Sequence, residues 1–233
     1  MKKSEFPEKI FEILINHALL SNGFDIYVPS QNKESKLGYD ALFQKGKIKV
    51  GFFQYKIVSE YEKKPVSHRT ALKAFKFDLH YSKLNGYRQH NLLVKKNLRG
   101  LNCGYFVPNF IEYDILYKNH HSGMLNRFPN VILIKPTRPI LDNKYHYITF
   151  DDSGLAIQHS KEGVKINTES IDDFLNAIKE SKLSYNKEEL TDEIFKTFDI
   201  NIDDENTDKE ELAIRLLYDN GIYLVTYQNV DHK

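Results

Sequence analysis

From Lys47 to Val58 the chain alternates so that Ile48, Val50, Phe52, Gln54, Lys56 and Val58 fall on one face of an extended strand. Gln54 and Lys56 interrupt a face that is otherwise apolar. Polar groups placed there cost free energy unless they have partners, so this interruption is the first chemical signal in the sequence. Residues Leu37 to Phe43 also read as a strand. The short Gln44-Lys45-Gly46 connection predicts that the two strands form an antiparallel hairpin.

A helix is predicted before them, over Pro7 to Leu20, with Pro near its first turn and Ser21-Asn22-Gly23 supplying the breakers. Its apolar residues, Ile10, Phe11, Ile13, Leu14, Ala18 and Leu20, spread around most of the circumference, which predicts a buried helix. Glu8 and Glu12 share one strip of it. A strand is expected over Phe24 to Val28, then a polar loop to Lys36. Further along, helices are expected over Thr70–Leu84, Gln89–Arg99, Asp173–Ser181, Lys187–Phe198 and Lys209–Tyr218, with strands over Gly104–Val107, Val131–Ile134 and Tyr145–Phe150. This mixture points to an α/β fold.

With 233 residues the chain fits one medium domain, or a domain of roughly 150 residues with a smaller appendage. Its 41% hydrophobic and 28% charged residues are a globular balance. Cys103 is the single cysteine and no Cys/His set has zinc-finger spacing, which suits a reducing compartment. The N-terminus lacks the apolar stretch of a signal peptide, and Glu12, Asn16 and His17 interrupt the most apolar segment, so a cytoplasmic protein without membrane contact is expected.

Net charge is +1, yet the charges are unevenly distributed. Between Lys63 and Cys103 every charged residue is basic except Asp78; between Glu169 and Glu211 acids outnumber lysines three to one. Two units are therefore expected, residues 1–165 and an acidic, mainly helical appendage over 166–233. Lys73, Lys76, Arg88, Lys95, Lys96 and Arg99, interspersed with aromatic residues, are candidate nucleic-acid contacts, since such segments neutralise phosphates and stack on bases. A solvated surface would have the same composition.

Three elements carry the remaining chemistry: the helix with Glu12 in Ile10-Phe11-Glu12-Ile13-Leu14 followed by Gly23-Phe24, the strand with Asp40 in Leu37-Gly38-Tyr39-Asp40-Ala41, and the strand with Gln54-Tyr55-Lys56. Their order and spacing resemble the PD-(D/E)xK, or restriction endonuclease-like, nuclease superfamily in its Mrr-like, Gln-x-Lys variant. Tyr39 stands where the family name has Pro, and Gln54 where it has an acid. The resemblance covers about Glu8 to Val58. It implies a restriction-endonuclease-like mixed β-sheet flanked by helices, and Mg²⁺-dependent hydrolysis of DNA phosphodiesters, with Mn²⁺ as a substitute and RNA left open as a substrate.

Under that resemblance Asp40 and Gln54 ligate the cation, and Glu12 restores the charge lost at Gln54 through a bound water, with Glu8 as its alternate. Lys56 holds the attacking water or steadies the phosphoryl oxygens. Restriction, repair or phage defence is the implied setting, and a homodimer or partner subunit the implied assembly. The rival reading is a catalytically inactive nuclease-fold module that binds nucleic acid or a partner protein. His120-His121 reads as an exposed loop pair, Asp78, His80 and His90 as weaker candidates for contacting substrate, and Cys103 as core. No Gly-rich phosphate loop, Ser-containing elbow or dinucleotide fingerprint occurs.

Overall fold

The computed structural model describes residues 1–27, 47–83, 86–125, 127–159, 163–202 and 207–228, which form a mixed α/β fold. In chain order the elements are β1 (Lys2–Lys3), α1 (Glu8–Ser21), β2 (Asp25–Tyr27), β3 (Lys49–Tyr55), β4 (Ser59–Glu60), β5 (Ala74–Asp78), α2 (Arg88–Leu98), β6 (Asn102–Pro108), α3 (Tyr113–His121), β7 (Val131–Lys135), β8 (Tyr147–Asp151), β9 (Ala156–His159), β10 (Val164–Ser170), α4 (Ile171–Glu180), α5 (Lys187–Phe198), α6 (Lys209–Asp219) and β11 (Tyr223–Tyr227). The strands form one sheet in the order β1-β4-β5-β8-β9-β10-β7-β6-β3-β11-β2. β3 and β6 pair in parallel and the other pairs are antiparallel.

β3 lies between β6 and β11, with Gln54 beside Tyr105 and Phe53 beside Tyr223. Strand alternation divides its side chains between two layers. Val50 and Phe52 enter one core with Leu93 of α2, Leu190 and Ile194 of α5 and Leu217 of α6. Phe53 and Tyr55 enter the other with Phe11 and Ile15 of α1, Leu116 of α3 and Phe174 of α4. Gly51 lets α4 approach closely: a Cβ there would lie 2.5 Å from Ile178 Cδ1 and 2.7 Å from Phe174 Cζ.

Three features differ from the sequence expectations. Residues 74–78 form β5 instead of part of a helix, because Phe75, Phe77 and Leu79 bury on one side while Lys76 and Asp78 alternate with them. His120 and His121 end α3 and are not in a loop. The acidic segment is packed into the sheet: β10 crosses residue 165, β11 pairs with β3, and α5 and α6 complete the first core. The strand expected over residues 37–43 lies outside the described residues; the antiparallel neighbour of β3 among them is β11. No described helix is long and apolar enough to cross a membrane.

The first core holds a charge. Lys96 is fully buried, with its Nζ 3.5 Å from the centroid of Phe52 and no hydrogen-bond partner among the described residues. Burial pushes its pKa down to about 8, against the upward pull of Cys103 and Glu193. The unfolded chain, with an ordinary lysine near 10.5, binds more protons between those values, so this residue makes stability rise as pH climbs from about 8 to 10.5. Cys103, pushed up to about 12 by burial, acts in the opposite direction above pH 9. Lys96→Met is therefore expected to raise the unfolding free energy at pH 7 by about 3 kcal/mol. Urea unfolding should show this gain over wild type shrinking as pH rises from 8 to 10.5.

Candidate functional site

α1 lies over the second layer of the sheet and brings its acidic strip to the outgoing end of β3. Glu12, only 6% exposed, accepts from Lys9 Nζ at 2.7 Å and from the Tyr223 hydroxyl. Tyr223 stacks on Phe53, with ring centroids 5.6 Å apart, and is thus on the second layer. Burial, followed by the negative charge of Glu12, holds the Tyr223 hydroxyl in its protonated, donating form. Beside it the Tyr55 hydroxyl donates to Asn16 Oδ1. Glu12 is therefore clamped by a lysine and a tyrosine among aromatic rings.

Gln54 has the opposite orientation. Flanked in sequence by Phe53 and Tyr55, it points to the first layer, where its Nε2 donates to Asn220 O at 2.9 Å. It is 2% exposed, and its Oε1 is buried with no partner among the described residues. The sheet thus separates Gln54 from Glu12. A buried acceptor left unpaired costs on the order of 1–3 kcal/mol, so Gln54 is an expensive residue at this position.

Lys56 follows the last residue of β3, and its N–H donates to Phe106 O at 3.0 Å, extending the pairing with β6. Burial lowers the proton affinity of its ammonium, and Glu8 pulls it back up. Glu8 has the complementary balance. Burial raises its pKa, while Lys56 and a hydrogen bond from the Ile57 N–H lower it, and Glu12 raises it again. Glu8, one turn before Glu12, is thus the α1 carboxylate whose charge acts on Lys56. Asp40 lies outside the described residues.

Among the described residues, no three of His, Cys, Asp and Glu gather closely enough to hold a metal ion. Gln54 Oε1 does fit one requirement of a hard divalent cation, which takes neutral amide oxygens as well as carboxylates.

The candidate phosphate-binding residues do not form one free surface. Lys73 bridges Glu112 at 3.1 Å and Glu60 at 3.5 Å; Lys76 is 3.0 Å from Asp78 and lies over the rings of Tyr145 and Tyr147. On α2, Lys95 pairs with Asp199, Arg99 with Glu193 at 2.9 Å, and Arg88 lies over Phe198, while Lys96 is buried. The basic helix and the acidic segment neutralise each other because α2 packs against α5. His90, a weaker candidate for contacting substrate, is a core residue bonded to Tyr105 Oη at 3.0 Å and Arg138 O at 2.9 Å, and burial pushes its pKa down to about 4.

Periodicity did not reveal a buried chain of polar groups across β8. His68 Nδ1 is 2.7 Å from Asp151 Oδ2, its Nε2 is 2.8 Å from Thr149 Oγ1, and that hydroxyl is 2.8 Å from His159 Nε2. The only sequence signal was the Asp151-Asp152-Ser153-Gly154 turn, because His68 joins from a remote segment. No family model, curated protein or solved structure matches this chain.

Proposed function

We propose that the chain is a metal-dependent nuclease with a restriction-endonuclease-like core, hydrolysing DNA phosphodiesters with Mg²⁺, or with Mn²⁺ in its place. The observation that carries this reading is a pair of costly groups two residues apart at the end of β3: the unpartnered, buried Oε1 of Gln54 and the desolvated ammonium of Lys56. Asp40 and Gln54 would hold the cation. Glu8 takes the role of the helix carboxylate, since its charge acts on Lys56 while Glu12 is tied to Lys9 and Tyr223.

A divalent ion held by these residues would supply Lewis acidity, easing deprotonation of water near neutral pH and offsetting the charge that develops on phosphorus. Lys56 positions the attacking water or steadies a phosphoryl oxygen, and its partial desolvation strengthens that contact. Glu8 keeps the ammonium protonated against burial. The setting consistent with such chemistry is restriction, repair or phage defence, alone, as a homodimer or with a partner subunit.

The test uses the full chain with supercoiled plasmid, linear DNA and RNA, in Mg²⁺, Mn²⁺ or chelator, beside Asp40→Ala. Chelator-sensitive nicking that Asp40→Ala loses is the expected result. Binding of nucleic acid without cleavage in either metal overturns the enzyme and favours the inactive module.

A further inference from the structure

We propose that a cleft between α1, α3 and α4 binds a small organic phosphate of nucleoside-monophosphate size, at a site separate from the end of β3. The cleft has a volume of about 530 Å³, and His17 of α1, His120 of α3, Arg127 beyond it, and Asp172, Asn176 and Lys179 of α4 contribute to its lining. That volume is typical of small-molecule sites. His17 lies nine residues after Glu8, about 13 Å further along α1 at the helical rise, so the cleft is not an extension of the Gln54–Lys56 region.

Its charge points to an anion. The rings of His17 and His120 meet edge-on with centroids 5.1 Å apart, and the ring of His121 lies 5.6 Å from that of His120. Burial, then the neighbouring His17 and His121, disfavour protonation of His120. Arg127 and Lys179 add two permanent cations, against Asp172 in the first turn of α4. Lys179 is held over the rings of Phe24 and Tyr227, at 5.0 and 5.5 Å, while the Arg127 guanidinium makes no hydrogen bond or ion pair among the described residues. A guanidinium fork lining the same cleft as a lysine and two imidazoles matches a phosphate group, which accepts paired hydrogen bonds from arginine. Leu125 and Leu175, 1% and 3% exposed, add an apolar wall, so the ligand carries an organic moiety as well as the anion.

Calorimetry of the full chain at low ionic strength tests this with adenosine monophosphate, adenosine and inorganic phosphate as probes. Adenosine monophosphate should bind with a Kd below about 1 mM, at least about tenfold more tightly than either of the others. Arg127→Ala should weaken it about tenfold or more, and His120→Gln should weaken it too, with unchanged melting temperatures. Where a variant fails to fold, proton NMR of the wild-type chain decides: adenosine monophosphate should move the titration midpoint of the His120 ring to higher pH. Adenosine or phosphate binding as tightly as the nucleotide, full affinity in folded Arg127→Ala, or an unmoved His120 midpoint would overturn the proposal.

Discussion

Lys56→Met is expected to lower metal-dependent DNA cleavage by about 10²–10³-fold without lowering the melting temperature. Methionine preserves much of the aliphatic stem and removes the ammonium. Burial already works against that charge, so its removal relieves a cost to the native state. Glu8 then loses the cation that favours its ionised form. Plasmid nicking rates and thermal melts, measured on the same preparations, separate the two effects. A variant that cuts at the wild-type rate removes Lys56 from the chemistry, and a rate that falls only in step with melting temperature makes the residue structural.

Asp151→Ala is expected to reduce the unfolding free energy by about 3 kcal/mol, because it removes a charged acceptor and leaves the buried His68 ring N–H unpaired. His68 is fully buried against Asp151, and Asp151 Oδ1 also accepts from the Ser153 hydroxyl at 2.5 Å and the backbone N–H groups of Ser153 and Leu155 at 3.0 and 3.2 Å. One substitution therefore leaves several donors unpaired. Burial alone would push the Asp151 carboxyl up, but hydrogen bonds from Ser153, His68 and Leu155 outweigh it and hold the pKa below 3.8. With the folded value depressed, this carboxylate contributes stability above pH 3.8, and that contribution is lost as pH falls through the folded value. Denaturant titrations should show a smaller gap between variant and wild type in acid than at pH 7.

Elements defined by local signals were legible in the sequence. α5 lies where its periodicity places it and begins in a capping box between Asn186 and Glu189; α1 ends at Ser21, at the start of the Ser-Asn-Gly breakers. Within β3, alternation placed Gln54 on the same face as Val50 and Phe52. What failed was non-local. β11 pairs with β3 across about 170 residues of chain, and no local pattern announces which remote segment supplies a sheet neighbour. β5 was masked because its outward lysine and aspartate sit in a basic stretch that resembles a helix face. The strip that Glu12 shares with Glu8 is visible in the helix period, but the layer that α1 covers is decided by packing. The division into basic and acidic segments is an internal complement, visible only once α2 and α5 are neighbours.

The spare oxygen of Gln54 is the atom on which the nuclease reading stands, and Mn²⁺ binding to Gln54→Leu, followed by loss of the free-ion paramagnetic resonance signal, tests it. The reading predicts that wild type binds the ion and that the leucine variant, folded to the same melting temperature, binds at least about tenfold more weakly. Equal affinity in the two proteins would contradict it.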